Sequence, residues 1–218
     1  MQFLSTKTFK SIGLLLVILA ALGWVYAVLA PKGIDLSPYE MLGAGAGAQT
    51  ARLLHNSGRV VLMDADFGIY KLLAPTTRSE IASFKKAILK AGLKIAGHEK
   101  VAIVPPSMGR VGLFMQPGQM EDLMARHAGV DAIVLFIGLA GPDDVKAPAG
   151  GHGKPKLILV SNYEPSDEAL LRKGIIQLAI VPRLDAGTDE AKTIHSAKEW
   201  FEQHYEALTP EQFGQSAN

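Results

Sequence analysis

The segment VDAIVLFIGLAG, residues 130–141, decides the fold. After Asp131 it carries no charge, and its apolar residues run continuously instead of alternating. A run this short, rich in Ile and Val and closed by glycine, reads as a β-strand covered on both faces. Just ahead of it, GQMEDLMARHAG (118–129) places Met120, Leu123, Met124 and His127 at helical spacing. A helix feeding directly into a doubly buried strand is the repeating unit of a parallel sheet.

The same rhythm continues in both directions. RVVLMDAD (59–66) is a second buried-type strand, and TTRSEIASFKKAILKAGL (76–93) a helix. In that helix Ser79 is placed as N-cap beside Glu80, with Ile81, Phe84, Ile88 and Leu89 as its apolar face and Gly92 as its stop. LKIAGHEKVAIV (93–104) gives one strand or a bent pair, and a glycine-rich piece, SMGRVGLFMQPG (107–118), follows Pro105 and Pro106. Beyond the central strand come a Gly-, Pro- and Lys-rich loop (142–156), the strand KLILVSN (156–162), a short helix PSDEALLRKGI (165–175) and a last strand IQLAIVPR (176–183). The end of the chain, DEAKTIHSAKEWFEQHYEAL (189–208), reads as one amphipathic helix turning Ile194, Ala197, Phe201 and Tyr205 towards an apolar surface. The expected architecture is α/β: a doubly wound, mostly parallel sheet of about five strands with helices on both faces.

Ahead of this domain, Ile12 to Ala30 form 19 residues without a charge. As a helix they span roughly 28 Å, close to a bilayer's hydrocarbon thickness. Lys7 and Lys10 precede the segment and Trp24 and Tyr26 lie towards its far end, which predicts a cytoplasmic amino terminus and an interfacial aromatic anchor. The best small-residue cleavage pattern, Val28-Leu29-Ala30, runs straight into Pro31, and the apolar core exceeds that of an ordinary signal peptide. The segment therefore reads as a retained single-pass anchor in a cytoplasmic (inner) membrane, with the following domain periplasmic or otherwise extracytoplasmic. The division expected is a cytoplasmic tail (1–11), transmembrane helix (12–30), linker with a short helix at 49–55 (31–58), α/β domain (59–185), and carboxyl-terminal helix and tail (186–218). In the linker, the alternation Gly43 to Ala48 lacks the Lys-Ser/Thr ending of a phosphate loop and reads as a flexible lead-in.

Composition narrows the function. With 48% apolar and 20% charged residues and a net charge of +1, the 218-residue chain is globular and has no electrostatic footprint for nucleic acid. It has no cysteine, which excludes disulfides, thiolate metal sites and cysteine nucleophiles. The six histidines, His55, His98, His127, His152, His195 and His204, show no chelating spacing. No cofactor motif is present. GGHGK, Gly150 to Lys154, reads as a solvated hairpin.

The succession RVVLMDADFG, SEIASFKKAILKAGLKI, PGQMEDLMARHAGVDAIVLFIGL, KPKLILVSN and GIIQLAIVPR resembles one lobe of a type I periplasmic solute-binding protein, over residues 59–182. KAILKAGLKI and MARHAGVDAIVLFIG carry most of the likeness. The resemblance implies ligand contacts at the carboxyl ends of the strands, where Asp64, Asp66, Ser107, Asn162 and Arg183 stand. It also implies a hinge-closing second lobe, for which the residues after Arg183, reading as one helix and a tail, do not provide. A small-molecule ligand is therefore expected only at an interface with another chain.

VVLMDADFG and LILVSN also resemble a haloacid-dehalogenase-type phosphatase. That likeness implies Asp64 as nucleophile, Asp66 as acid/base, Ser161 on the phosphate, Lys173 as the neutralising lysine, and Mg²⁺. Gly68 stands where that family prefers Thr or Val, and no acidic pair follows the last strand.

The favoured expectation is a non-catalytic accessory or structural subunit of a membrane complex. It would meet the lipid bilayer and other subunits through Trp24 and Tyr26 and dock partners through Trp200, Phe201 and Tyr205. A solute-sensing or substrate-presenting module is the alternative, and a Mg²⁺-dependent phosphatase the second.

Overall fold

The computed structural model describes residues 34–68, 74–104, 113–139, 141, 154–160, 164–184 and 196–213. The expected anchor at 12–30, with Trp24 and Tyr26, lies outside the described residues. Among the described residues no helix is long and apolar enough to cross a membrane.

The main sheet has six strands in the order β2-β1-β5-β6-β7-β8. They are β1 (Arg59–Ala65), β2 (Lys94–Val101), β5 (Ala132–Leu135), β6 (Lys156–Val160), β7 (Ile176–Pro182) and β8 (Tyr205–Leu208). The first five are mutually parallel, while β8 runs antiparallel to β7. A short antiparallel pair, β3 (Ile103–Val104) and β4 (Phe114–Met115), forms a second sheet, bridged to the segment after β5 through Phe114↔Gly138. Five parallel strands match the sequence reading, and LKIAGHEKVAIV is indeed the bent pair. The sixth strand corrects it: residues 205–208, expected as helix, pair with β7 through Pro182↔Tyr205 to Ala179↔Leu208. The terminal helix is accordingly short, Ala197–His204, N-capped by the Ser196 hydroxyl accepting from the Glu199 N–H at 3.2 Å. The apolar face proposed for this segment is thus split between a helix and a strand edge.

Burial on both faces explains the continuous apolar runs. Val60, Leu62, Ala132, Val134, Ile158, Val160, Leu178 and Ile180 face one layer; Val61, Met63, Ile133, Leu135, Leu157, Leu159 and Ala179 face the other. The first layer holds α1 (Ser37–Leu53), α2 (Ala74–Lys90) and α5 (Ala197–His204); the second holds α3 (Gln119–Arg126) and α4 (Glu168–Arg172). The doubly wound arrangement is as expected.

The segment read as a flexible lead-in is a 17-residue helix, α1, with Leu42, Ala46, Thr50 and Ala51 buried. Its Gly-Ala alternation is a packing device. A Cβ at Gly43 would collide with the Glu80 carbonyl on α2, and one at Gly45 with the Phe201 ring on α5. At Gly47 a Cβ would lie 2.7 Å from the Ala87 Cβ. Small residues let backbones approach where larger ones would hold them apart, so the run shows almost no amphipathic pattern. Ser79, expected as an N-cap, lies inside α2, which begins at Ala74; its hydroxyl donates to Glu40 on α1 at 3.3 Å. Leu89, placed on the apolar face, is exposed, while Ile81, Phe84 and Ile88 are buried.

Candidate functional site

In a parallel sheet the chain reverses its direction of winding where consecutive connections leave on opposite sides, and a crevice opens there at the carboxyl ends. Here β1 and β2 lie to one side and β5, β6 and β7 follow on the other, so that point falls between β1 and β5. The two strands are joined to their ends, with Phe136 N–H donating to the Met63 carbonyl at 3.0 Å.

Asp64 stands at this end of β1. It is 4% exposed, on the face of the sheet that α2 covers. Its register partner on β2 is Lys100, and Leu62 pairs with His98, so all four side chains share one face. Asp64 Oδ2 lies 3.8 Å from His98 Nε2, and Oδ1 is buried without a hydrogen-bond partner. His98 Nδ1 is 2.9 Å from Lys85 Nζ on α2. An ammonium only donates, so Nδ1 accepts and the neutral ring carries its proton on Nε2, towards Asp64. Burial raises the Asp64 carboxyl above its ordinary value against the opposing pull of the Ala65 N–H, His98, Lys100 and Arg78. Burial, helped by the Lys85 and Lys100 cations, lowers His98, with Asp64 pulling the other way. The result is a Lys85–His98–Asp64 line running from the helix surface to a buried carboxylate.

The other expected residues divide by place. Asp66, two residues on, is exposed, with its N–H donating to the Val101 carbonyl at 2.9 Å. Arg183 sits at the same edge, just beyond β7, its N–H donating to the His204 carbonyl at 2.9 Å. Ser107, Ser161 and Asn162 lie outside the described residues. Lys173 is a correction. It ends α4, which carries the chain back from the carboxyl end of β6 to the amino end of β7. The length of a strand, roughly 15–20 Å, separates it from Asp64, too far to neutralise charge there. The phosphatase reading loses its lysine, and an Asp64 that is 4% exposed is poorly placed to meet a substrate or Mg²⁺. Among the described residues no cluster of acidic and histidine side chains could hold a metal.

The aromatic residues expected to dock a partner are also redistributed. Phe201 is 3% exposed and lies against Gly45, so it serves the chain's own core and is not available to a partner. Tyr205 stacks on Phe201 with centroids 5.9 Å apart, and Trp200 stacks on His204 at 4.5 Å; both are half-buried. Sequence reasoning missed His98 and Lys85. The available signal was the strand LKIAGHEKV itself, where His98 shares a face with Lys100. On the other face Glu99 reaches α3, 3.0 Å from Arg126 Nη1 and 2.9 Å from His127 Nε2, the latter an ion-pair distance without hydrogen-bond alignment.

The fold is an α/β one similar to a lobe of periplasmic binding proteins, as the sequence resemblance implied. No protein-family model matches the chain, and no curated protein matches it. Among solved structures it is similar to an ABC-transporter solute-binding protein from Burkholderia graminis in complex with D-arabinose. The TM-score is 0.50 and the identity 15%, covering 82% of this chain and 62% of that one. A sugar-binding protein of a sugar ABC transporter from Bacillus halodurans matches with a TM-score of 0.48 and 11% identity, covering 79% and 62%. AraP, an arabinose-binding protein from Geobacillus stearothermophilus, matches at 0.45 and 11%, covering 81% and 62%. The chain thus spans 62% of the length of these structures; at 15% identity the likeness to the first is one of fold.

Proposed function

We propose that the chain is a solute-sensing or substrate-presenting module. It takes a small polyhydroxylated solute of the sugar class at the carboxyl ends of β1 and β5. The observation that carries this reading is the winding reversal between those strands, with the exposed Asp66 just beyond the end of β1. The likeness in fold to a structure holding D-arabinose supports the solute class. Residues 12–30 hold the module to a membrane with its α/β domain on the extracytoplasmic side. The module has no catalytic step of its own.

The experiment is thermal unfolding of the full chain in mild detergent against pentoses and hexoses, D-arabinose among them. A sugar present at about a hundredfold its Kd should stabilise by about 2.7 kcal/mol, raising Tm by roughly 5–10 °C. No shift with any sugar up to millimolar concentration sinks the reading for the isolated chain. Repeating the scan on the chain with its co-purified partners then tests whether a partner chain is required.

A second reading, the accessory subunit of a membrane complex, rests on the uncharged segment Ile12–Ala30 and on Gly13 and Gly23 within it, which permit close helix approach. Co-purification of stoichiometric partners in detergent, with no response to sugars, would favour it.

A further inference from the structure

The helix α2 buries Ile81, Phe84 and Ile88 and turns its opposite side outward. On that side stand Arg78, Ala82, Lys86, Leu89 and Lys90, all exposed. At about 100° per residue they fall within one stripe roughly 120° wide, with Leu89 between Arg78 and Lys86. We propose that this stripe is a docking surface for anionic lipid headgroups, on which the three cations meet phosphates and Leu89 enters beneath them.

The charge of the stripe is uncompensated. Arg78, Lys86 and Lys90 form no ion pair among the described residues. The one acidic residue of α2, Glu80, is 4% exposed. On one flank α1 carries Glu40 in its first turn, where it receives the Ser79 hydroxyl, and Arg52 in its last. On the other flank Lys85 meets His98 on β2 at 2.9 Å, and Lys100, exposed on the same face of β2, extends the positive surface. Asp64 opposite Lys100 is buried, and Glu99 faces the other layer, where Arg126 donates to it at 3.0 Å. The exposed Asp66 stands beyond the end of β1, at the carboxyl edge of the sheet. Lys86 and Lys90, in the last two turns of α2, are left without an opposing carboxylate among the described residues.

Composition selects a lipid surface over a protein one. A protein interface has an apolar core of aromatic and aliphatic side chains; here a single leucine, 54% exposed, stands among cations. That arrangement fits a headgroup layer. Ammonium and guanidinium groups stay at the level of the phosphates while one apolar side chain reaches the acyl boundary. The choice of a bilayer rests on the membrane tether at residues 12–30 proposed above, which raises the lipid concentration that this domain meets. Each cation brought to an anionic surface strengthens attachment roughly fivefold, and salt weakens it.

The chain has no cysteine, so Leu89→Cys supplies a unique attachment point for an environment-sensitive fluorophore at an exposed position. The labelled full chain is reconstituted in nanodiscs of phosphatidylglycerol or of phosphatidylcholine and quenched with acrylamide. Quenching at least about threefold weaker in the anionic discs is expected, with the protection lost in about 1 M salt and in Arg78→Gln/Lys86→Gln/Lys90→Gln. Equal quenching in the two lipids overturns the proposal, as does protection that salt and the triple variant leave intact. Protection seen only with a co-purified protein in detergent means a protein partner and also overturns it. Should the triple variant lose its fold by circular dichroism, reversal by salt in the labelled parent decides. If the full chain does not enter the discs, the tether fails, and the same fluorophore then reads binding of the chain to phosphatidylglycerol vesicles. Blue-shifted emission there supports the headgroup surface, and unchanged emission sinks it.

Discussion

His98 Nε2 lies 3.8 Å from Asp64 Oδ2, while Lys85 Nζ sits 2.9 Å from the other ring nitrogen. A carboxylate that is 4% exposed thereby faces a histidine whose pKa is held below the ordinary value by burial, with the Lys85 cation adding to the effect. Each of the two groups is displaced against its charged form, because burial outweighs their mutual attraction.

Both displacements have a sign in stability. Asp64 has a native pKa above 3.8, so the native state binds its proton more tightly; that stabilisation is complete below 3.8 and lost as pH rises through the native value. His98 has a native pKa below 6.5, so its contribution is present above 6.5 and lost as pH falls through the native value. Asp64→Asn should therefore be more stable than the parent at pH 7, by about 1 kcal/mol or roughly 2–4 °C in Tm. It should also lose the decline in stability above pH 3.8. Urea titrations between pH 4 and 8 read both, and a less stable Asn variant at pH 7 would mean that a charged Asp64 is held by a donor.

Gly43 and Gly45 both face packed neighbours, but of different kinds. The Glu80 carbonyl is backbone and cannot rotate away, whereas the Phe201 ring can tilt. Gly43→Ala should cost about 2–3 kcal/mol of stability through forced separation of α1 and α2, despite a gain of about 1 kcal/mol in helix propensity. Gly45→Ala should cost less. Denaturant midpoints measure the order, and its reversal would show that the helices adjust more readily than the ring.

Phe201→Ala should destabilise by about 3–5 kcal/mol, as removal of a fully buried phenyl does. Trp200→Ala, at a half-buried site, should cost clearly less. Chemical unfolding compares them; equal costs would place Trp200 in the same core.

The uncharged run Ile12–Ala30 should keep the full chain in the membrane fraction after alkaline carbonate extraction. Residues 34–218 expressed alone should be found in the supernatant. Release of the full chain by carbonate would contradict an anchor.

What the sequence determined by itself was whatever local pattern records. VDAIVLFIGLAG and RVVLMDAD could only be strands buried on both faces, because a continuous apolar run of that length has no other stable place. Their alternation with helical periodicity, in KAILKAGL and QMEDLMAR, set the parallel doubly wound sheet. Asp64 at a strand end was legible for the same reason. The tertiary structure alone decided the rest. The helix α1 is invisible to periodicity because its packing uses the absence of side chains at Gly43, Gly45 and Gly47, and only α2 and α5 give that absence a meaning. Residues 205–208 become a strand because β7 offers an unpaired edge, a non-local hydrogen-bonding opportunity that outweighs helical spacing. Lys173 and Asp64 are assigned to opposite edges by a crossover, and His98 and Lys85 are brought to Asp64 by β-register and helix packing. Those relationships lie between segments, and no single segment encodes them.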